Sequence, residues 1–301
     1  MDAIVYAAFR VAWAVLRAVP LRVLRAGLEA VGRTAWLVDR RHRDVVSQNL
    51  ATAFPEWGSE KRRVVERQAF ANWGRIAAEL LHFEELAARS SAQSVDGKLE
   101  PLAEQLLARG RGLLVLTAHT GNFELLARLW GSATGQQIAV FHRMLRNRLI
   151  DGFLSRERGA CSFRVVGRGG AVREALRILA GNGVFVVPLD QNQLPGRGIF
   201  VNLFGRSACT STLLARLALA TGAPVLPVFA AWKGEETVAV VGQLIETPEG
   251  GSKLRGDARE AMLRDLTARY TAEIESVVRA YPGQWNWAHR RWKTRPEAEV
   301  V

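Results

Sequence analysis

A histidine, a glycine turn and an acid stand together in one segment of this chain, His119-Thr120-Gly121-Asn122-Phe123-Glu124. On an unbroken helix an acid five residues after a histidine points about 140° away from it, so the two face each other only across a turn. Gly121 and Asn122 supply turn and helix-cap chemistry at that place. Glu124 then falls in the first turn of a following helix, where the helix dipole favours its anion. There it can accept from the imidazole and leave the other ring nitrogen as a base. Such a pair takes a proton from an alcohol without a serine or cysteine nucleophile. The other histidines, His42, His82, His142 and His289, have Ser47, Ala87, Asn147 and Thr294 at the same offset. Spacing alone leaves a second reading open, in which His119 caps the helix and Glu124 lies on the surface.

The elements that position this segment are legible from the texture of the chain. Beyond about residue 110, short apolar runs bounded by glycines (residues 112–117, 137–141, 183–189 and 224–230) read as buried strands. Helical stretches at 123–131, 146–159, 171–180 and 210–221 lie between them, and a last helix at 257–280 ends before Tyr281-Pro282-Gly283. Earlier, residues 45–53 and 59–88 read as helices. Alternating strands and helices predict an α/β fold with a mixed or mostly parallel central sheet covered by helices. Residues 1–40 form a helical N-terminal segment and residues 41–301 a single α/β domain. In such sheets ligands bind beyond the carboxyl ends of the strands, and His119 lies just past the first one.

Composition narrows the function. Of 301 residues 49% are apolar, enough to bury a core. Cys161 and Cys209 cannot make a disulfide framework or a cysteine zinc site, and no metal is expected. The net charge is +12, with 36 Arg against only 5 Lys. A GC-rich genome accounts for part of that ratio but not for the excess over acids, which calls for an anionic partner: nucleic acid, an acidic membrane or a phosphorylated substrate. Residues 1–43 carry eight Arg and three acids among aromatic and aliphatic residues, broken at Pro20. The apolar stretches flanking Arg10 fall well short of the ~20 residues that span a bilayer, and no cleavage site for a signal peptide follows. The segment suits a helix lying at an anionic bilayer; a helix packed on its own domain is the alternative. Residues 141–177 hold nine Arg and three acids. No zinc spacing, RNA-binding strand motif or basic recognition helix is present, so nucleic acid is not expected as a partner.

Here the residues carry a resemblance. The segment from His119 to Glu124 is similar to the His-x4-acid motif of glycerolipid acyltransferases, and its context resembles the lauroyl/myristoyl acyltransferases that finish lipid A. Supporting segments are Gln48-Asn49-Leu50 with Phe54-Pro55-Glu56, Phe141-His142-Arg143, Leu189-Asp190-Gln191 followed by Phe200-Val201-Asn202-Leu203-Phe204-Gly205, and Trp285-Asn286-Trp287-Ala288-His289-Arg290-Arg291-Trp292. They run in order from about residue 40 to 296. Phe123 stands where the family often has Trp, Leu203 where it usually has a second aromatic, and the segment around His142 is only loosely similar.

The resemblance implies a membrane-associated enzyme at the cytoplasmic face of the inner membrane. It would move an acyl chain from acyl carrier protein to a hydroxyl of a lipid A precursor of the Kdo-lipid IVA type, with acyl-CoA as the alternative donor and no cofactor. His119 would be the general base and Glu124 its orienting partner, with Arg143 at the oxyanion or donor and Asp190 and Gln191 as binders or orienters. Arg156, Arg158 and Arg168 are candidates for substrate phosphates. Glu79 is a weaker candidate, set against a paired helix residue. Trp285, Trp287 and Trp292 suit either the bilayer interface or packing against the sheet. Other readings are an acyltransferase of the same fold acting on another acceptor, such as phosphatidylinositol mannoside, and a non-catalytic basic membrane or nucleic-acid binder. The presence of both His119 and Glu124 argues against the non-catalytic reading.

Overall fold

A computed structural model describes residues 2–89, 99–134, 138–142, 146–159, 163–167 and 171–297. Its central sheet is built from β1 (Leu113–Thr117), β2 (Ile138–His142), β3 (Phe163–Gly167), β4 (Val184–Pro188), β7 (Val225–Lys233) and β8 (Glu236–Val241), in the order β3-β2-β4-β1-β7-β8. Every neighbouring pair is parallel except the β7–β8 hairpin. β5 (Ile199–Leu203) and β6 (Arg206–Thr210) form a separate antiparallel hairpin. The expected α/β fold with a mostly parallel sheet is therefore the one observed.

The unbroken apolar runs of β1, β4 and β7 follow from their place in the middle of the sheet, where both faces are covered. Alternate residues point to opposite layers. Leu113, Val115, Val184 and Val186 meet α6 (Leu99–Leu107) and α7 (Phe123–Thr134) on one side. Leu114, Leu116, Phe185 and Val187 share a cluster with α10 (Leu213–Thr221) and α11 (Gly256–Ala280) on the other. That second layer also takes in Trp285, Trp287 and Trp292, all less than 9% exposed. Of the two readings of this Trp-rich segment, packing is the one that obtains: Trp285 and Trp287 meet edge to face at 4.6 Å between ring centroids.

The N-terminal third is helical: α1 (Asp2–Ala18), α2 (Leu21–Val38), α3 (Arg40–Ala53), α4 (Ser59–Leu81) and α5 (Phe83–Arg89). The run read as one helix over 59–88 is interrupted at His82, whose Nδ1 lies 2.8 Å from a Glu85 carboxylate oxygen. α2 and α4 touch backbone to backbone. A Cβ at Gly74 would lie 2.0 Å from the Leu28 carbonyl oxygen, and one at Gly32 would lie 2.3 Å from that of Phe70. Both positions therefore admit only glycine at this helix spacing. α1 has no buried residue and leans on α8 (Arg148–Gly159), where Phe9 and Trp13 stack edgewise on Phe153 at 5.7 and 5.2 Å. Ile4, Val11 and Val15 of α1 and Val23, Val31, Leu37 and Val38 of α2 are exposed. Among the described residues no helix is long and apolar enough to cross a membrane.

Candidate active site

β1 and β4 lie side by side in register, with Thr117 opposite Pro188. Each chain runs two residues further, to His119 and to Asp190, so the sheet itself delivers both side chains to one spot beyond its carboxyl edge. The carboxylate on the imidazole is that of Asp190: Oδ1 lies 2.8 Å from His119 Nδ1, and Oδ2 accepts the His119 backbone N–H at 2.9 Å. Trp285 Nε1 also donates to Oδ2, at 2.8 Å. Glu124 occupies the first turn of α7 as expected and is half-buried. The acid at His119 Nδ1 is Asp190 rather than the Glu124 expected to accept from the imidazole.

The electrostatics of the pair follow from this arrangement. Burial alone would drive the Asp190 carboxyl towards its neutral form. The His119 charge, the bonds from His119 and the Trp285 indole outweigh it and hold the group well below the usual carboxylate range. Burial likewise opposes a charged His119, yet the Asp190 charge and hydrogen bond raise its pKa above the ordinary value. A carboxylate on Nδ1 keeps the proton there and leaves the Nε2 lone pair for chemistry. Nε2 faces the Gln191 amide at 3.4 Å. The Phe123 ring stands edgewise to the imidazole, 4.8 Å between centroids, and limits its rotation.

The turn after His119 is fixed from three directions. Gly121 has φ +50°, and a Cβ there would lie 2.7 Å from the Ala230 carbonyl oxygen on β7. Asn122 caps α7 through its side-chain oxygen, which accepts the Leu125 N–H at 3.0 Å. Its amide donates at 3.0 Å to Glu79, a fully buried carboxylate that also receives Arg75, Arg25 and the Trp232 indole at 2.8 to 3.1 Å. Glu79 is thus a paired helix residue that supports the turn. The third direction is the chain after α11. Gly121 N–H donates to the Gln284 carbonyl and Asn286 N–H to that of His119, both at 2.9 Å. Asn49 anchors this returning segment by donating to the carbonyls of Trp287 and His289 at 2.7 Å.

Arg143 and Arg168 lie outside the described residues, as does Cys161. Arg158 belongs to α8, but its side chain is not among those described, whereas Arg156 on the same helix is exposed. Arg146, Arg148 and Arg173 are exposed as well. Gln191 comes to the imidazole. Trp285 was singled out only for its composition, and nothing local in the sequence marks its bond to Asp190, because the two are 95 residues apart. Among the described residues no three His, Cys, Asp or Glu side chains converge as metal ligands.

The model of the family described as "Bacterial lipid A biosynthesis acyltransferase" matches residues 2–294. The "Lipid A biosynthesis lauroyltransferase" of Escherichia coli (strain K12) is 28% identical over 271 residues, covering 89% of this chain and 84% of that protein. The "Lipid A biosynthesis palmitoleoyltransferase" of the same organism is 25% identical over 266 residues, 86% of this chain and 81% of its own length. The "Phosphatidylinositol mannoside acyltransferase" of Mycobacterium tuberculosis (strain ATCC 25618 / H37Rv) is 22% identical over 291 residues, 95% of this chain and 87% of that one.

Proposed function

Because the chain belongs to the bacterial lipid A biosynthesis acyltransferase family and is on that ground an acyltransferase, we propose that it moves a fatty acyl chain from acyl carrier protein to a lipid A precursor. The acceptor is a hydroxyl of a Kdo-lipid IVA type glycolipid. The observation that carries the chemistry is the His119–Asp190 pair beyond the carboxyl edge of the sheet, with Nδ1 on the carboxylate and Nε2 facing the Gln191 amide.

In this mechanism Nε2 takes the hydroxyl proton as the oxygen attacks the thioester carbonyl. The tetrahedral oxyanion collapses, the carbon–sulfur bond breaks, and the imidazolium returns its proton to the thiolate of the phosphopantetheine arm. Asp190 holds the ring and stabilises the imidazolium. Glu124, the acid of the motif, adds a second negative charge in the first turn of α7. Gln191 faces Nε2 and serves the donor carbonyl, with Arg143 as its cationic partner by resemblance. Arg156, Arg158 and Arg168 belong to the basic run that meets phosphate groups of the glycolipid and the carrier. No cofactor or metal takes part.

The exposed apolar residues of α1 and α2, together with the exposed Arg22, support attachment to the cytoplasmic face of the inner membrane with these helices lying in the headgroup region. A second reading, a phosphatidylinositol mannoside type acceptor, is favoured by the similarity to the mycobacterial enzyme over 95% of the chain. Purified protein given acyl carrier protein loaded with a medium or long chain and either acceptor in mixed micelles, followed by mass spectrometry, separates the two. The expected product is a lipid A precursor heavier by one acyl group, and transfer by His119→Ala equal to wild type overturns the assignment of the base.

A further inference from the structure

The loop that carries Asp190 is held at three points by the same returning segment, at Trp285, His289 and Thr294. Trp285 grips the carboxylate itself. Two residues on, the backbone N–H of Asn192 donates to Nε2 of His289 at 2.8 Å. An N–H donor at that distance requires a lone pair on Nε2, so the imidazole is neutral, with its proton on Nδ1. The main chain that carries this imidazole is itself fixed, since the His289 carbonyl accepts from Asn49 at 2.7 Å and from the Arg291 N–H at 2.8 Å. On the other side of the turn, Asn192 and Gln193 are bolted to Thr294 by bonds of 2.7 to 3.2 Å. The histidine is thus a fixed post against which the turn after β4 rests.

We propose that His289 is a positioning residue: in its neutral form it holds the Asp190–Asn192 turn so that the carboxylate stays on His119, and when protonated it releases that turn. The inference rests on the reading of His119 as the base. A proton on Nε2 would set one N–H against another and strip the Asn192 N–H of its acceptor. The charged groups whose fields reach His289 are Asp190 on the held loop, His119 beyond β1 and Arg291 on its own segment. Burial foremost keeps its pKa below the ordinary value, Arg291 and His119 add to this, and Asp190 opposes them. The active enzyme therefore needs two neutral imidazoles. His119 loses its function first as pH falls, because its pKa is raised, and His289 follows at lower pH.

The test is the acid side of the kcat/KM profile, which reports free-enzyme ionisations. In wild type, log kcat/KM is expected to fall with slope one below the His119 pKa and to steepen to slope two below that of His289. His289→Gln keeps an acceptor for the Asn192 N–H that does not titrate, so its slope stays at one. One pH unit below the His289 midpoint it should outperform wild type by about tenfold relative to their ratio at neutral pH. His289→Ala lowers kcat at every pH, and Gln restores it. A readout free of turnover comes from NMR of the full chain: the Asn192 amide shift should titrate together with the His289 imidazole nitrogens. A wild-type slope of one down to acid unfolding, a second slope retained in His289→Gln, or an Asn192 amide that ignores the His289 titration overturns the proposal. If neither acceptor is acylated at all, the reading of the reaction fails and the NMR titration still decides the role of His289.

Discussion

Asp190→Asn is the sharpest perturbation of the site. Asp190 accepts three donors, the His119 backbone N–H, His119 Nδ1–H and the Trp285 indole, at 2.8 to 2.9 Å. The single oxygen of Asn satisfies the two on the Oδ2 side, which puts its NH2 group against Nδ1. That contact is favourable only for the tautomer with its proton on Nε2, where the base must have a lone pair. Restoring the working tautomer costs the new hydrogen bond and leaves two donors facing each other, about 3–5 kcal/mol together, which is about 10²–10⁴ in kcat. The same swap in the serine-protease triad costs about 10⁴. Without the Asp190 charge only burial acts on His119, so its pKa falls and the acid limb of the residual activity moves to lower pH. Stability carries the same signature. In wild type the protonated His119 stabilises the fold, fully below the ordinary 6.5 and progressively less as pH rises through the raised folded value; in the variant the lowered pKa reverses the sign, so that stability is lost as pH falls through the ordinary 6.5. The assay is steady-state transfer from loaded acyl carrier protein across pH, with Glu124→Gln run beside it. Glu124→Gln is expected to lose about tenfold, the equivalent of ~1.4 kcal/mol for a charge that is not the one on His119 Nδ1. An Asp190→Asn enzyme within fivefold of wild type, or a larger loss in Glu124→Gln than in Asp190→Asn, refutes the assignment and makes Glu124 the orienting acid.

Three further outcomes are expected. Gly74→Ala should lower stability by about 3 kcal/mol, because its Cβ meets a backbone carbonyl that cannot rotate away, and the melting temperature by roughly 6–12 °C in calorimetry. Replacing Val11, Val15, Val23 and Val31 by Ser leaves the fold intact but should weaken co-sedimentation with anionic vesicles about a hundredfold, the equivalent of about 3 kcal/mol of partial burial in the headgroup region; unchanged binding would move the membrane contact elsewhere. Acyl transfer should continue in EDTA, and its abolition would put a metal in the reaction.

Much of the scaffold was legible because central parallel strands have a plain signature. β1, β4 and β7 are apolar at nearly every position, preceded by glycine within three residues, and buried except at the last residue of β4 and β7. The cap at Asn122 was equally local. β3 has Arg164 within its five residues, β8 alternates in the manner of a half-covered edge, and β5–β6 turns through Phe204 and Gly205, both at positive φ, rather than through an Asn-Gly pair. None of these gives an unbroken apolar run, and the sequence texture marks none of them as a strand. The identity of the acid on His119 was out of reach for a different reason. Asp190 arrives there because β4 inserts between β2 and β1, and strand order is decided by the packing of whole layers. Glu124 was the acid nearest in sequence, and proximity along the chain favoured it. Three tryptophans among arginines have one composition whether they line a bilayer or a core, and only the fold distinguishes the two.

The clamp on the base also sets an order in time. Asp190 leaves the ribosome 95 residues ahead of Trp285, an interval of about 5–20 s at ordinary rates of synthesis. During that interval His119 and Asp190 both exist, but the indole that grips the carboxylate and the backbone that braces the His119 turn do not. A chain interrupted before residue 284 would carry every residue of the proton-transfer step and still lack the parts that aim them. Competence to transfer an acyl chain is therefore acquired late in synthesis, long after α1 and α2 have been made.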